Sequence, residues 1–178
     1  MVNERNPWTS FFPAWVLVNT LGWLAYTVVF ILPYFGAWAA LCIGFLIGLF
    51  QWAVLNRYIG IDQMWLWVST LPYGLMLFII TLFGSQLTIF MLLIIETIIL
   101  GLLGFVQCLQ LRNYVNNALI WMAASPVASL LGTIAAWMVN FILFSPGGVS
   151  PLLFWALKGF VYGCITGVTV IFLENSLE

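Results

Sequence analysis

Histidine is absent from this 178-residue chain, and charge is scarce: four basic and five acidic residues, 5% of the total. Without histidine the commonest metal and haem ligand is missing. No Ser/His/Asp set can be assembled, no phosphate-cradling glycine loop follows a strand, and no carboxylate pair is placed for acid–base work. These absences point away from an enzyme, a metal site, a cofactor and a nucleic-acid partner. Cys42, Cys108 and Cys164 are the only cysteines. All fall in apolar segments without disulfide or metal spacing, and they read as small packing residues.

The shortage of charge also excludes water as the solvent. An ordinary soluble domain is about 25% charged, whereas this chain is 65% hydrophobic. A soluble fold of roughly 150 residues leaves about a third of its chain surface exposed, so lipid has to cover what this chain cannot bury. The charges are Glu4, Arg5, Arg57, Asp62, Glu96, Arg112, Lys158, Glu174 and Glu178, and the gaps between them hold whole spans. Positions 6 to 56 are free of charge, room for two helices of about 20 residues each with a turn at Pro33-Tyr34-Phe35-Gly36.

The same arithmetic divides the rest. The expected fold is all-α, a single integral membrane bundle over 1–178 with six transmembrane helices at about 12–33, 36–56, 64–83, 87–111, 118–144 and 152–173. The connection Ser145-Pro146-Gly147-Gly148-Val149-Ser150-Pro151 is the best marked, since its prolines and glycines end one helix and start another. Glu4 beside Arg5, with no small-residue cleavage pattern after the first apolar run, marks that run as a retained helix rather than a signal peptide. Six spans put both termini on one side, together with Arg57 and Arg112, and the positive-inside tendency makes that side cytoplasmic.

Laying the chain on itself with a shift of 56 exposes a repeat. Leu46, Gly48, Gln51, Leu55, Tyr58, Trp65 and Ser69 meet Leu102, Gly104, Gln107, Leu111, Tyr114, Trp121 and Ser125. Gly, Gln, Tyr, Trp and Ser holding one offset across helix, loop and helix indicate duplication. Trp15 and Asn19 echo the Trp/Ser pair on the first helix. Gly159, Gly163 and Thr166 on the last helix stand where Gly44, Gly48 and Gln51 stand on the second. Three degenerate helix pairs follow, related by rotation about the membrane normal.

Gly48 and Gln51, like Gly104 and Gln107, share a helix face. The glycine admits a neighbouring backbone and the amide is expected to reach across to it, an interhelical contact of roughly 0.6 to 2 kcal/mol in a membrane. Asn19, Gln51, Ser69, Gln107, Ser125 and Thr166 are therefore the expected interhelical polar contacts. Gly44, Gly48, Gly104, Gly159, Gly163 and Gly167 are the expected packing positions, and the tryptophans are expected near the headgroups. Pro72 and Pro126 should bend their helices.

The motif Gly-x3-Gly-x2-Gln-Trp-x2-Leu-x-Arg from Gly44 to Arg57 resembles one found in small, largely uncharacterised polytopic membrane proteins of cyanobacteria and other photosynthetic bacteria. The likeness covers roughly 44–74 and 100–132. It departs where Trp52 becomes Cys108, and where the basic pair shrinks to Asn56-Arg57 or Arg112-Asn113. It implies a bacterial inner or photosynthetic membrane and brings no activity, ligand or partner. In such a setting Gln51 and Gln107 invite comparison with ligands to chlorophyll magnesium, but hydrogen bonding between helices is the preferred use.

Glu96 falls near the middle of the fourth helix, where an ionised carboxylate costs at least about 2.5 kcal/mol. It needs a partner or a proton. Lys158 enters the sixth helix from the same side; counted from the aligned glycines the two are offset by three residues, about 4.5 Å along a helix. An intramembrane ion pair is expected, serving as structural glue, as part of a polar binding cavity, or as part of a proton or ion path. Two functions stay open: a non-enzymatic component that binds lipid or a protein partner, and a small-molecule-binding transport subunit. For the second, the outer face offers Gln86, Asn140, Ser145, Ser150, Glu96 and Lys158. In size and hydropathy alone that reading resembles the substrate-capturing subunit of energy-coupling-factor vitamin transporters. A channel is disfavoured because no span shows a sustained polar face.

Overall fold

In the computed structural model the chain forms six helices: α1 (Trp8–Ile31), α2 (Gly36–Ile59), α3 (Met64–Phe83), α4 (Ile89–Leu111), α5 (Leu119–Phe144) and α6 (Pro151–Asn175). The structure describes residues 8–31, 36–83, 86, 88–144 and 150–175. The expected turn at 33–35, Ser145 and most of the glycine- and proline-rich connection lie outside them.

Helix ends follow local chemistry. Thr88 caps α4, its hydroxyl accepting from Met91 N at 3.3 Å. The Asp62 carboxylate accepts from Met64 N at 2.8 Å at the start of α3, and Ser150 stands before Pro151 at the start of α6, its hydroxyl accepting from Leu153 N at 3.4 Å. These are the residue types that satisfy the free N–H groups of a first turn. α2 runs to Ile59, past the expected end at 56. What stops it is Gly60, at φ 67°, whose N–H bonds Asn56 O at 3.1 Å in the left-handed cap that glycine adopts without strain. α1 begins at Trp8 instead of 12, which brings Trp8 against Phe11 (5.2 Å between centroids) and Tyr58 (6.4 Å).

Each helix packs on the next and α6 returns to α1, so the six close into a ring; the seam between α3 and α4 is the thinnest. Neighbours run antiparallel, as successive contacts show: Gly44 meets Gly74 and Gly48 meets Thr70 across α2 and α3. The inward faces repeat in steps of three and four. On α4 these are Glu96, Leu100, Leu103 and Gln107, and on α6 Lys158, Tyr162, Thr166 and Val170, all buried. Steps of that size keep side chains on one stripe of a helix.

The outward faces are apolar, with Leu75, Phe90, Ile98, Leu102, Phe141 and Ile142 exposed. α2, α4, α5 and α6 are long and apolar enough to cross a membrane; at 1.5 Å per residue each exceeds the roughly 30 Å of hydrocarbon. Cys42 lies on this exposed surface, while Cys108 is buried and Cys164 half-buried, so helix packing describes only the latter two.

Candidate functional site

The ring is filled along its axis by side chains from α1, α3 and α5 placed four residues apart. Trp15, Trp65 and Trp121 form one layer, Asn19, Ser69 and Ser125 the next, and Trp23, Tyr73 and Ser129 a third, every one of them 0–2% exposed. The first layer shows that these three tryptophans are enclosed rather than facing lipid. It sits toward the Arg57/Arg112 end but turns inward, Trp121 lying edge-on to Trp15 at 6.2 Å and to Trp65 at 6.0 Å. The rings supply apolar bulk along the axis. The surface tryptophans are others, notably Trp38 and Trp67.

The even-numbered helices bind this column with a recurring pattern. Gln51 Nε2 on α2 donates to Asn19 Oδ1 on α1 at 2.8 Å, and Gln107 Nε2 on α4 donates to Ser69 Oγ on α3 at 2.8 Å. Tyr162 OH on α6 shares a 3.0 Å bond with Ser125 Oγ on α5. In the other direction, the indole N–H of Trp121 donates to Gln107 Oε1 and that of Trp15 to Thr166 Oγ1, each at 2.9 Å. The third such place is empty of bonds. Trp65 Nε1 and Gln51 Oε1 are both buried and unpartnered among the described residues.

Tyr73 OH closes the network across the axis, accepting from Gln51 Nε2 at 3.4 Å and donating to Tyr162 OH at 3.0 Å. Gln107 Oε1 accepts the Trp121 indole N–H, in keeping with the preferred use of that amide in bonds between helices. Among the described residues no three His, Cys, Asp or Glu come together as a metal set.

The glycines mark close approaches from each even helix to the odd helix after it. A β-carbon at Gly44 would lie 2.5 Å from Gly74 N, one at Gly48 2.8 Å from Leu66 O, and one at Gly104 3.0 Å from Met122 O. On α6, Gly159, Gly163 and Gly167 face Asn19 O (2.8 Å), Val16 Cα (2.9 Å) and Trp15 Cδ1 (2.9 Å) of α1. The amides reach both flanks: Gln51 bonds Asn19 on α1 and Tyr73 on α3, the helix on which Gly48 packs, and Gln107 bonds Ser69 on α3 and Trp121 on α5, the helix on which Gly104 packs.

Glu96 and Lys158 meet inside the bundle. Lys158 Nζ and the Ser129 hydroxyl both donate to Glu96 Oε1. Lys158 is 1% exposed and Glu96 9%. The ammonium also stands 4.5 Å from the Trp23 ring centre and 5.1 Å from that of Trp155, two rings stacked nearly parallel at 5.7 Å. Tyr26 abuts Trp155 edge-on at 4.3 Å. Sequence reasoning missed Ser129, Trp23, Tyr73, Trp155 and Tyr162. The first three had a signal, since each stands four residues beyond Ser125, Asn19 and Ser69.

The other outer-face polar residues are spent locally: Asn140 Oδ1 accepts from Ser150 N at 2.9 Å, and Asn140 Nδ2 donates to Ala136 O at 2.9 Å. Gln86 is exposed. Two surface grooves are apolar. One, about 500 Å³, is lined by Leu41, Leu71, Leu75, Phe78 and Leu102, and the other, about 300 Å³, by Phe90, Leu93, Ile94, Thr97 and Leu130. No family model, curated protein or solved structure matches the chain.

Proposed function

We propose that the chain is a six-span integral membrane protein built from three degenerate helix pairs, acting as a non-enzymatic component that holds lipid or a protein partner. Four helices have spanning length and apolarity in their own right. α1 and α3 carry no charged residue, are 24 and 20 residues long, and each sits in the ring between two such helices. A helix enclosed in that way crosses with its neighbours.

The triplicate design is supported by the recurrence of Trp/polar layers on α1, α3 and α5, and by glycine approaches running α2 to α3, α4 to α5 and α6 to α1. The likeness to small photosynthetic-bacterial membrane proteins, over roughly 44–74 and 100–132, accords with this architecture. Arg57 and Arg112 place their end, with both termini, on the cytoplasmic side.

The observation that carries the functional choice is the filled axis. The three edge-packed tryptophans and the hydrogen-bonded Asn19–Gln51–Tyr73–Tyr162–Ser125 chain fill the half toward Arg57 and Arg112, which argues against a solute path through the ring. The surface left for recognition is the apolar exterior with its grooves.

Gentle extraction from the native membrane into lipid nanodiscs, followed by mass spectrometry that preserves non-covalent complexes, tests this. A retained stoichiometric lipid or polypeptide is expected, with Glu96→Ala and Lys158→Ala lowering stability but leaving that partner bound. A small soluble metabolite other than an amine, held in its place and lost on Glu96→Ala, would overturn the assembly role in favour of a transport subunit.

A further inference from the structure

Lys158 is itself a ligand held in a cage. Its side chain is an alkylammonium, and the protein grips the head with a carboxylate oxygen, Glu96 Oε1, and with the faces of Trp23 and Trp155. Aromatic faces beside a carboxylate are how proteins recognise organic ammonium groups.

A pair needed only to tie α4 to α6 would be replaceable by apolar residues of similar size and would call for no polar groups around it. Yet the outer half of the axis carries polar groups that the ion pair does not use. Trp23 Nε1, Thr27 Oγ1 one turn further out on α1, and Thr133 Oγ1 one turn beyond Ser129 on α5 are all buried and unpartnered among the described residues. Buried polar atoms without partners are rare, and an unseen ligand or water is a common reason for them.

The carboxylate has capacity to spare. Both described bonds end on Oε1, whereas a carboxylate accepts about four, and Glu96 keeps 9% exposure against 1% for Lys158. Leu93 and Thr97, near Glu96 in sequence on α4, line an apolar surface groove between α4 and α5, and a membrane-dissolved amine would approach from that side. Lys158 lies seven residues inside the start of α6, and its long stem lets the displaced head swing toward the outer interface.

We propose that Glu96, Ser129, Trp23 and Trp155 form an exchangeable site for a primary alkylammonium ligand, which Lys158 fills as a tethered occupant. This goes beyond the assembly role and stands on the purified bundle alone, so a failed partner search and a failed amine titration are separate results.

The test uses full-length protein in nanodiscs. Lys158→Ala removes three carbons and the nitrogen, the outline of n-propylammonium. Thermal unfolding of that variant should recover at least half of its lost Tm on addition of millimolar n-propylammonium chloride, with less recovery from methylammonium and none from sodium chloride. Lys158 is the chain's only lysine, so the ¹⁵Nζ resonance of labelled wild-type protein reports exchange directly. It should move saturably with n-propylammonium, and Glu96→Gln should abolish both responses.

A folded Lys158→Ala protein that no alkylammonium stabilises overturns the proposal. So does a wild-type Nζ signal that stays put at amine concentrations saturating the variant, or a response that survives Glu96→Gln. Should Lys158→Ala not fold even with amine present, the wild-type titration decides alone.

Discussion

Replacing Glu96 and Lys158 by methionine, singly and together, separates the cost of burying charge from the strength of the pair. Removing one partner of a buried ion pair typically costs about 3–5 kcal/mol, because the other is left charged without compensation. Here both orphans find partial relief. Glu96 without Lys158 keeps the Ser129 hydroxyl, and Lys158 without Glu96 keeps two indole faces, worth roughly 2 kcal/mol when desolvated. Each single variant should therefore lose about 3 kcal/mol, the lower end of that range.

The double variant has no charge to strand, and two methionines fill similar volume with flexible chains. It should lie within about 1 kcal/mol of wild type, giving a coupling near 6 kcal/mol. Equilibrium unfolding in bicelles, by denaturing detergent or by steric trapping, measures all four corners. A double variant as unstable as the sum of the singles would refute the reasoning, since it would mean that the side chains act through packing rather than through their charges.

Gly44→Ala should cost about 1–3 kcal/mol, as overpacked contacts do, because the new methyl meets backbone at 2.5 Å and the α2–α3 pair has to part. Gly101→Ala is the matched control: nothing lies within 4 Å of its β-carbon, and thermal unfolding in nanodiscs should move by no more than about 0.5 kcal/mol equivalent. Trp121→Phe removes a donor and strands Gln107 Oε1, a loss of roughly 1–3 kcal/mol beyond the change in ring size. Trp65→Phe deletes an indole N–H without a partner among the described residues and should cost less than half as much in the same assay; equal losses would show that ring volume alone matters.

Much of the architecture was legible because apolarity and sparse charge divide the chain almost by themselves. α3 lies at the expected 64–83, and the other ends moved by a few residues where a local device decided them, as Gly60 did for α2. The meeting of Glu96 and Lys158 was legible for a related reason. Two opposite charges alone in an apolar bundle have few stable arrangements other than contact, and the aligned glycines fixed their depth.

The aromatic cage was not legible. Trp23 and Trp155 are two tryptophans among ten, and nothing in their spacing distinguishes an indole facing a cation from one facing lipid. The enclosure of the tryptophan layer was not legible for a similar cause. Preference for the headgroup region is a property of exposed indoles, and the sequence does not state that Trp15, Trp65 and Trp121 are enclosed until the ring is closed by α6 on α1.

The uneven third station ties these points together. If three helix pairs descend from one, the ancestral contact is an indole donating to a polar residue on the even helix, with that residue in turn donating to the preceding odd helix. Two stations keep the indole bond, at Gln107 and Thr166, and the third has an unbonded Trp65 facing the pair that shares Gln51 with Tyr73. Tyr73 stands where Ser129 stands on α5, and its hydroxyl accepts from Gln51 Nε2 and donates to Tyr162. At the Ser129 position the smaller side chain instead leaves room for Glu96 to accept Lys158. Within one layer, tyrosine on α3 thus goes with the cross-axis hydroxyl chain, and serine on α5 with the place where Glu96 accepts Lys158.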